Sequence, residues 1–187
     1  MGLAVSDRGI ETVERPPSTE PRGAGISAFL LVASAGIGVV LQMHYWKRLP
    51  QRVASHFSGS GIADGWMGRD AHLALSVGVF VTFTLMFAGI AVLMRKLPAK
   101  WINIPNREHW LSEQNRERSR RYLAAWSNLF GVLVNSFMIV AFHLVFLANL
   151  SDPARLDNKT FFVALGVLLI ATTVGVIALL LRFSGPE

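Results

Sequence analysis

Imidazole and carboxylate groups gather in one stretch of the chain. His56 and Asp64 lie inside residues 45–70, Asp70 closes that stretch, and His44 and His72 flank it. Nitrogen and carboxylate ligands at such density suit a divalent cation or acid–base exchange. The spacing matches no established metal motif, however. No G-x-S-x-G, H-E-x-x-H or G-K-[ST] pattern is present, and the chain contains no cysteine. The expectation is therefore structural: His56 and Asp64 form hydrogen bonds that fix turns, with no metal, no cofactor and no catalytic residue. A second set, Asn128, Asn135 and His143, recurs at separations of seven and eight residues, near one face of a helix. It could line a proton or solute path with His143 as the titratable member, or join packed helices by hydrogen bonds. The second option is preferred, because no Asp, Glu, Lys or Arg accompanies the set.

The elements that must position these residues follow from where charge is missing. The chain has 187 residues, 52% hydrophobic and 16% charged, with a mean hydropathy of +0.42. A soluble domain carries about 25% charged residues. Four uncharged runs (Gly23 to Trp46, Ala71 to Met94, Tyr122 to Ser151, Thr160 to Leu181) take up 100 of the 187 residues. Each can cross a hydrocarbon layer of about 30 Å, which needs roughly 20 residues at about 1.5 Å of helical rise. The fold class expected is an all-α membrane protein: a bundle of four transmembrane helices over about 26–43, 73–94, 123–150 and 161–181, with a structured outward loop between the first two. A transmembrane β-barrel is disfavoured because the runs are continuously apolar. Ser34 with Gly38 and Ala171 with Gly175 are small-residue pairs at helix-packing spacing.

Residues 1–24 read as a flexible cytoplasmic tail of mixed charge with Pro, Ser and Gly, and 25–187 as the membrane domain. The first apolar run starts late and lacks a short basic leader, so no cleaved signal peptide is expected. The net charge is +6. Lys and Arg number three in the tail, four in loop one, eight in loop two (95–121), two in loop three and one after the last span. This asymmetry places both termini and loop two in the cytosol, with loops one and three outside. Basic residues beside spans anchor to headgroups, so nucleic acid is rejected as a partner and the lipid bilayer accepted. In loop two, Trp101 and Trp110 suit a headgroup-level belt. Asn106 suits the cap of a helix running through SEQNRERSRR into the third span, hugging the membrane surface. Glu117 and Arg121 form a favourable i,i+4 pair, whereas Glu113 and Glu117 repel. The triplets Asn149-Leu150-Ser151 and Asn158-Lys159-Thr160 fit the glycosylation pattern but arise often by chance.

Loop one, YWKRLPQRVASHFSGSGIADGWMGRD, is longer than a connector needs to be, and its Gly59-Ser60-Gly61 and Asp64-Gly65 turn signals suggest a small ordered cap. Its Tyr45, Leu49-Pro50, Val53, His56-Phe57, Gly61, Asp64 and Trp66, with Arg69 in a basic place usually held by lysine, resemble an uncharacterised extracytoplasmic domain. That domain occurs in membrane proteins related to the bacterial sporulation-delay immunity protein. Ala54 stands where that pattern usually has a second proline. Ile102-Asn103-Ile104-Pro105-Asn106-Arg107 with Trp110-Leu111 resembles the stretch after the second span in many such proteins, with His109 in place of a common tyrosine. The resemblance implies a multi-pass protein of the bacterial cytoplasmic membrane. It implies, in some relatives, protection against a membrane-active peptide and signalling through a membrane or cytoplasmic regulatory partner. Tyr45, Leu49, Pro50, His56, Phe57, Gly61, Asp64, Trp66 and Arg69 then become candidates for organising the loop or binding a ligand. Asn103, Pro105, Asn106 and Trp110 become candidates for a cytoplasmic interface. Two readings of other classes stand beside this one: a transporter subunit using Asn135 and His143, and a membrane enzyme using His56 and Asp64.

Overall fold

The computed structural model describes residues 23–185; the expected tail over 1–24 lies almost wholly outside them. Four helices are long and apolar enough to cross a membrane: α1 (Gly23–Trp46), α2 (Arg69–Lys96), α4 (Arg116–Asn149) and α5 (Asn158–Ser184). α1, α2 and α5 each contain one expected span and extend it by further turns, and α4 contains all of the third but its last residue, Leu150, which caps the helix. Lipid-facing composition ends at the hydrocarbon edge, but the helical hydrogen-bond ladder does not.

α4 is the centre of the bundle. Both α1 and α2 pack along its length, and α5 packs on it from the other side. Small residues allow these approaches. A Cβ on Gly131 of α4 would lie 2.5 Å from Leu31 and 2.8 Å from Phe87, and one on Gly38 would overlap the Phe80 ring. On the far side, Gly175 of α5 sits under Trp126 and Phe130 of α4. Ser34 and Gly38 on α1 and Gly175 on α5 thus lie at helix contacts. The outer surfaces of the helices are apolar, with Phe29, Val40, Leu85, Ile170 and Leu181 all exposed, as suits a lipid solvent.

Loop one departs from an all-α fold. It forms an antiparallel hairpin of β1 (Arg52–Phe57) and β2 (Ala63–Gly68) that pairs Val53 with Met67 and Ala54 with Trp66, with irregular register around His56. The β-branched and aromatic residues of β1 and the Ser58–Gly61 turn account for it: Gly61 sits at φ 81°, and its N–H donates to Ser58 O at 2.8 Å. Val53 is fully buried with Tyr45, Leu49 and Phe146, so the hairpin is packed onto the ends of α1 and α4.

Loop two also differs from expectation. The helix expected to run from Asn106 into the third span is broken: a 3-10 turn (Ala99–Trp101) and a short helix α3 (Arg107–Trp110) precede α4, with turns between. Asn106 has left-handed backbone (φ 48°) and makes no side-chain cap bond. Side chains hold the break. Asn115 Nδ2 donates to His109 O, and Ser119 Oγ donates to Trp110 O at 2.8 Å, folding α3 back on α4. Trp110 is 3% exposed, packed in a cluster with Phe183, Ile102 and Leu123. Trp101 remains 70% exposed. The Glu117–Arg121 pair forms, at 2.6 Å.

Candidate functional site

The hairpin is attached to the bundle by amide side chains. Asn149, in the last turn of α4, accepts from Ala54 N–H through Oδ1 at 2.6 Å and donates through Nδ2 to Ala54 O at 3.0 Å. Its side chain thereby supplies the partner that a third strand would give to the edge of β1. The turn is held from loop three. Leu156 N–H donates to Gly61 O at 2.9 Å, Asn158 Nδ2 donates to Gly59 O at 2.7 Å, and Ile62 bridges to Arg155. Gly61 must be glycine for two reasons, its positive φ and the Leu156 carbonyl 2.6 Å from where a Cβ would stand. Both asparagines that fit a glycosylation triplet therefore serve as clamps, and both were missed as site residues by sequence reasoning. The one available signal was a polar side chain at each end of a short loop.

With its inner face fixed, the hairpin presents Arg52, His56, Asp64 and Trp66 outward. His56 Nδ1 and Asp64 Oδ1 stand 2.5 Å apart across the strands, so these two residues bond each other and not the turn backbone. Gly65 makes room: a Cβ there would lie 2.7 Å from His56 Cβ. The Arg52 guanidinium lies 6.0 Å from the Trp66 ring, which is 45% exposed. Phe57 is half-buried and Pro50 exposed. Arg69 is turned elsewhere. It lies 5.0 Å over Trp46, 3.6 Å from Asp70, and reaches Leu49 O, while Trp46 Nε1 donates to Asp70 at 2.9 Å. It therefore braces the junction of α1 and α2. Among the described residues no group of three or more His, Asp or Glu is placed to share a metal ion.

Beneath the hairpin, two of the expected sets meet. The Tyr45 hydroxyl of α1 and His143 Nδ1 of α4 are 3.1 Å apart, and Tyr45 also packs on Phe146. Below them a polar seam joins the helices. Ser76 Oγ donates to Gln42 Oε1, Asn135 Nδ2 donates to Ser34 Oγ and Thr84 Oγ1, Asn128 Nδ2 donates to Ser27 Oγ, and Ser127 Oγ donates to Phe87 O. In lipid such bonds are worth about 0.6–2 kcal/mol each. Gln42 and Thr84 were not anticipated from the sequence, since an isolated polar residue in an apolar run shows no partner until the helices are docked.

At the opposite end, Asn106 Nδ2 donates to Ser184 O and Trp110 Nε1 to Phe183 O, satisfying carbonyls that the end of α5 leaves unpaired. Of the four expected interface residues, these two tie loop two to the end of α5, Asn106 remaining exposed and Trp110 buried. Asn103 is exposed and Pro105 half-buried.

No curated protein and no solved structure gives a match to the chain. One family model does, over residues 29–82: a stretch that runs through α1, the whole hairpin and the first half of α2, and whose family is described as a domain of unknown function, DUF1648.

Proposed function

We propose that this is a non-enzymatic multi-pass protein of the bacterial cytoplasmic membrane, with both termini cytoplasmic. Its hairpin recognises, or shields the cell against, an extracytoplasmic peptide and conveys occupancy to a regulatory partner. The observation that carries this reading is the division of labour in loop one: the edge of β1 and the turn are clamped to α4 and loop three by Asn149 and Asn158, and the exposed side displays two cross-strand pairs, His56–Asp64 and Arg52–Trp66. A rigid platform with a hydrogen-bonded imidazole–carboxylate pair and an accessible indole loses little conformational freedom on binding a peptide.

The test uses cells making the intact protein or its variants, challenged with a panel of membrane-active peptides, with membrane insertion assayed in parallel. H56A and D64A, both at exposed positions, should leave insertion unchanged and stability within about 0.5 kcal/mol, while abolishing protection. Full protection by both variants rejects the site assignment.

A transporter subunit is the second reading, and one observation favours it: Asn135 Oδ1 is buried in the seam with no partner among the described residues. It requires that H143F remove a proton-linked flux in reconstituted vesicles. Absence of flux in the unmodified protein rejects it.

A further inference from the structure

The two edges of the hairpin differ. Asn149 takes both the N–H and the C=O of Ala54, so these groups point away from β2, and Ala54 and Trp66 face each other without exchanging ladder bonds. Trp66 N–H and O therefore point away from β1, toward the opposite edge. Arg69 N–H donates to Gln51 O at 2.9 Å, which sets the same phase for the next facing pair, Arg52 and Gly68. Gly68 N–H thus points outward beside the Trp66 groups, while its carbonyl, at the N-cap of α2, takes the first helical bond. The outer edge of β2 presents N–H, C=O and N–H in order, and among the described residues no group beyond the hairpin bonds to them.

Natural sheets blunt such edges with Lys, Pro or a bulge. β2 (ADGWMG) holds neither Lys nor Pro, and its register shifts lie toward the turn, around His56, which leaves 66–68 regular. The charge beside this edge is also open to a partner. Asp64 is bonded to His56, and Asp70 to Trp46, whereas Arg52 is exposed, lies 6.0 Å from the Trp66 ring and has no carboxylate partner among the described residues. Gly68, opposite Arg52, puts no side chain between that guanidinium and a further strand, and the space where its Cβ would stand is empty. Strands about 4.8 Å apart place an added strand about 10 Å from β1, a gap that an Arg and a Glu side chain close between them. A second copy of the chain fits less well. Residues 45–70 carry Lys47, Arg48, Arg52 and Arg69 against Asp64 and Asp70, so hairpins joined edge to edge bring like charge together.

We propose that the extracytoplasmic peptide binds as a third strand on the outer edge of β2, with an acidic side chain opposite Gly68 that pairs with Arg52. This rests on the peptide reading above and specifies its ligand: an extended, acidic segment. Trp66 and Gly68 donate their N–H groups to peptide carbonyls, and Trp66 O accepts from a peptide N–H.

The backbone of Gly68 makes the test clean. Its φ of −67° and ψ of 144° are values that proline adopts, and the N–H that proline would remove makes no ladder bond. The isotope-labelled full chain in nanodiscs is titrated with an acetylated peptide of alternating Val and Glu, and with its Val and Lys counterpart, while the amide resonances of the hairpin are followed. The Val–Glu peptide should shift Trp66 and Gly68. G68A, which keeps the donor, should bind like the wild type, and G68P should bind about fivefold more weakly, the worth of one hydrogen bond. R52Q, which leaves the backbone untouched, should also weaken binding, and the Val–Lys peptide should bind less tightly than the Val–Glu one. Equal affinities of G68A and G68P, or shifts confined to His56 and Asp64, overturn the edge assignment. Unchanged affinity in R52Q overturns the acidic pairing, and Trp66 and Gly68 shifts that follow protein concentration without peptide would assign the edge to a second copy instead. Protection of cells lost in H56A and D64A but kept in G68P would reject the edge and leave the peptide reading standing; edge binding of the Val–Glu peptide by a wild-type protein that protects against nothing would do the reverse.

Discussion

Asn149 holds both backbone groups of Ala54, and Ala54 itself is fully buried. Asn149→Ala leaves an N–H and a C=O without partners, at about 1–3 kcal/mol for each unsatisfied group. A fall in thermal midpoint in detergent, with faster amide exchange at Ala54, is the expected result; an unchanged Ala54 amide would mean that the clamp is not needed. Asp157 offers a pH-dependent counterpart. Its carboxylate accepts from the Thr160 hydroxyl at 2.5 Å and from Thr160 N–H at 3.2 Å, and these bonds hold its pKa below the usual carboxylate value. A carboxyl whose pKa is depressed by folding stabilises the fold above its unfolded value, near 4, and loses that contribution as pH falls through the lowered value. Protection of the first amides of α5 should therefore drop on acidification below about pH 4, and D157A should show the reduced protection already at neutral pH, the two proteins converging in acid. The sequence made His56 and Asp64 visible as a pair worth attention, but not as partners of each other. It left Asn149 as a chance triplet, because an amide that completes a strand edge is identified only once helix and strand are docked.

At the scale of elements, the four spans were legible because lipid imposes one demand, apolar length, and charge marks its limits. The hairpin was legible only as turn signals and a short apolar stretch, since its pairing depends on burial of Val53 beneath it. The break after α3 was not legible. A charged run with a cap residue satisfies local helix rules, and only the burial of Trp110 against Phe183 overrides them. Glycines separate packing from propensity. Gly131→Ala forces a methyl against Leu31 and Phe87 and should destabilise by about 1–3 kcal/mol, the usual cost of overpacking. Gly89→Ala, with open space around its Cβ, should be neutral or stabilising by up to about 1 kcal/mol. Thermal unfolding of the two variants side by side checks both, and equal shifts would contradict the close approach of α1, α2 and α4 at Gly131.

For the whole molecule, orientation is the property on which the peptide reading turns, and the absence of cysteine makes it directly measurable. Ser60→Cys in the hairpin turn and Gln114→Cys before α4 are both exposed positions at opposite ends of the bundle. A membrane-impermeant thiol reagent applied to intact cells should label position 60 and spare 114. The reverse pattern would place the hairpin in the cytosol and remove the ground for extracytoplasmic recognition. The Asn149–Ala54 clamp also has a consequence in time. Its partners are 95 residues apart, so at about 5–20 residues per second a ribosome completes the clamp roughly 5–20 s after the hairpin sequence has been made. Until α4 has been synthesised and threaded, β1 has only water on that edge. Nascent chains stalled before residue 149 should be cut by protease within 52–68, whereas those stalled well beyond it should resist; the hairpin then reports, from outside the bilayer, that the third span has arrived.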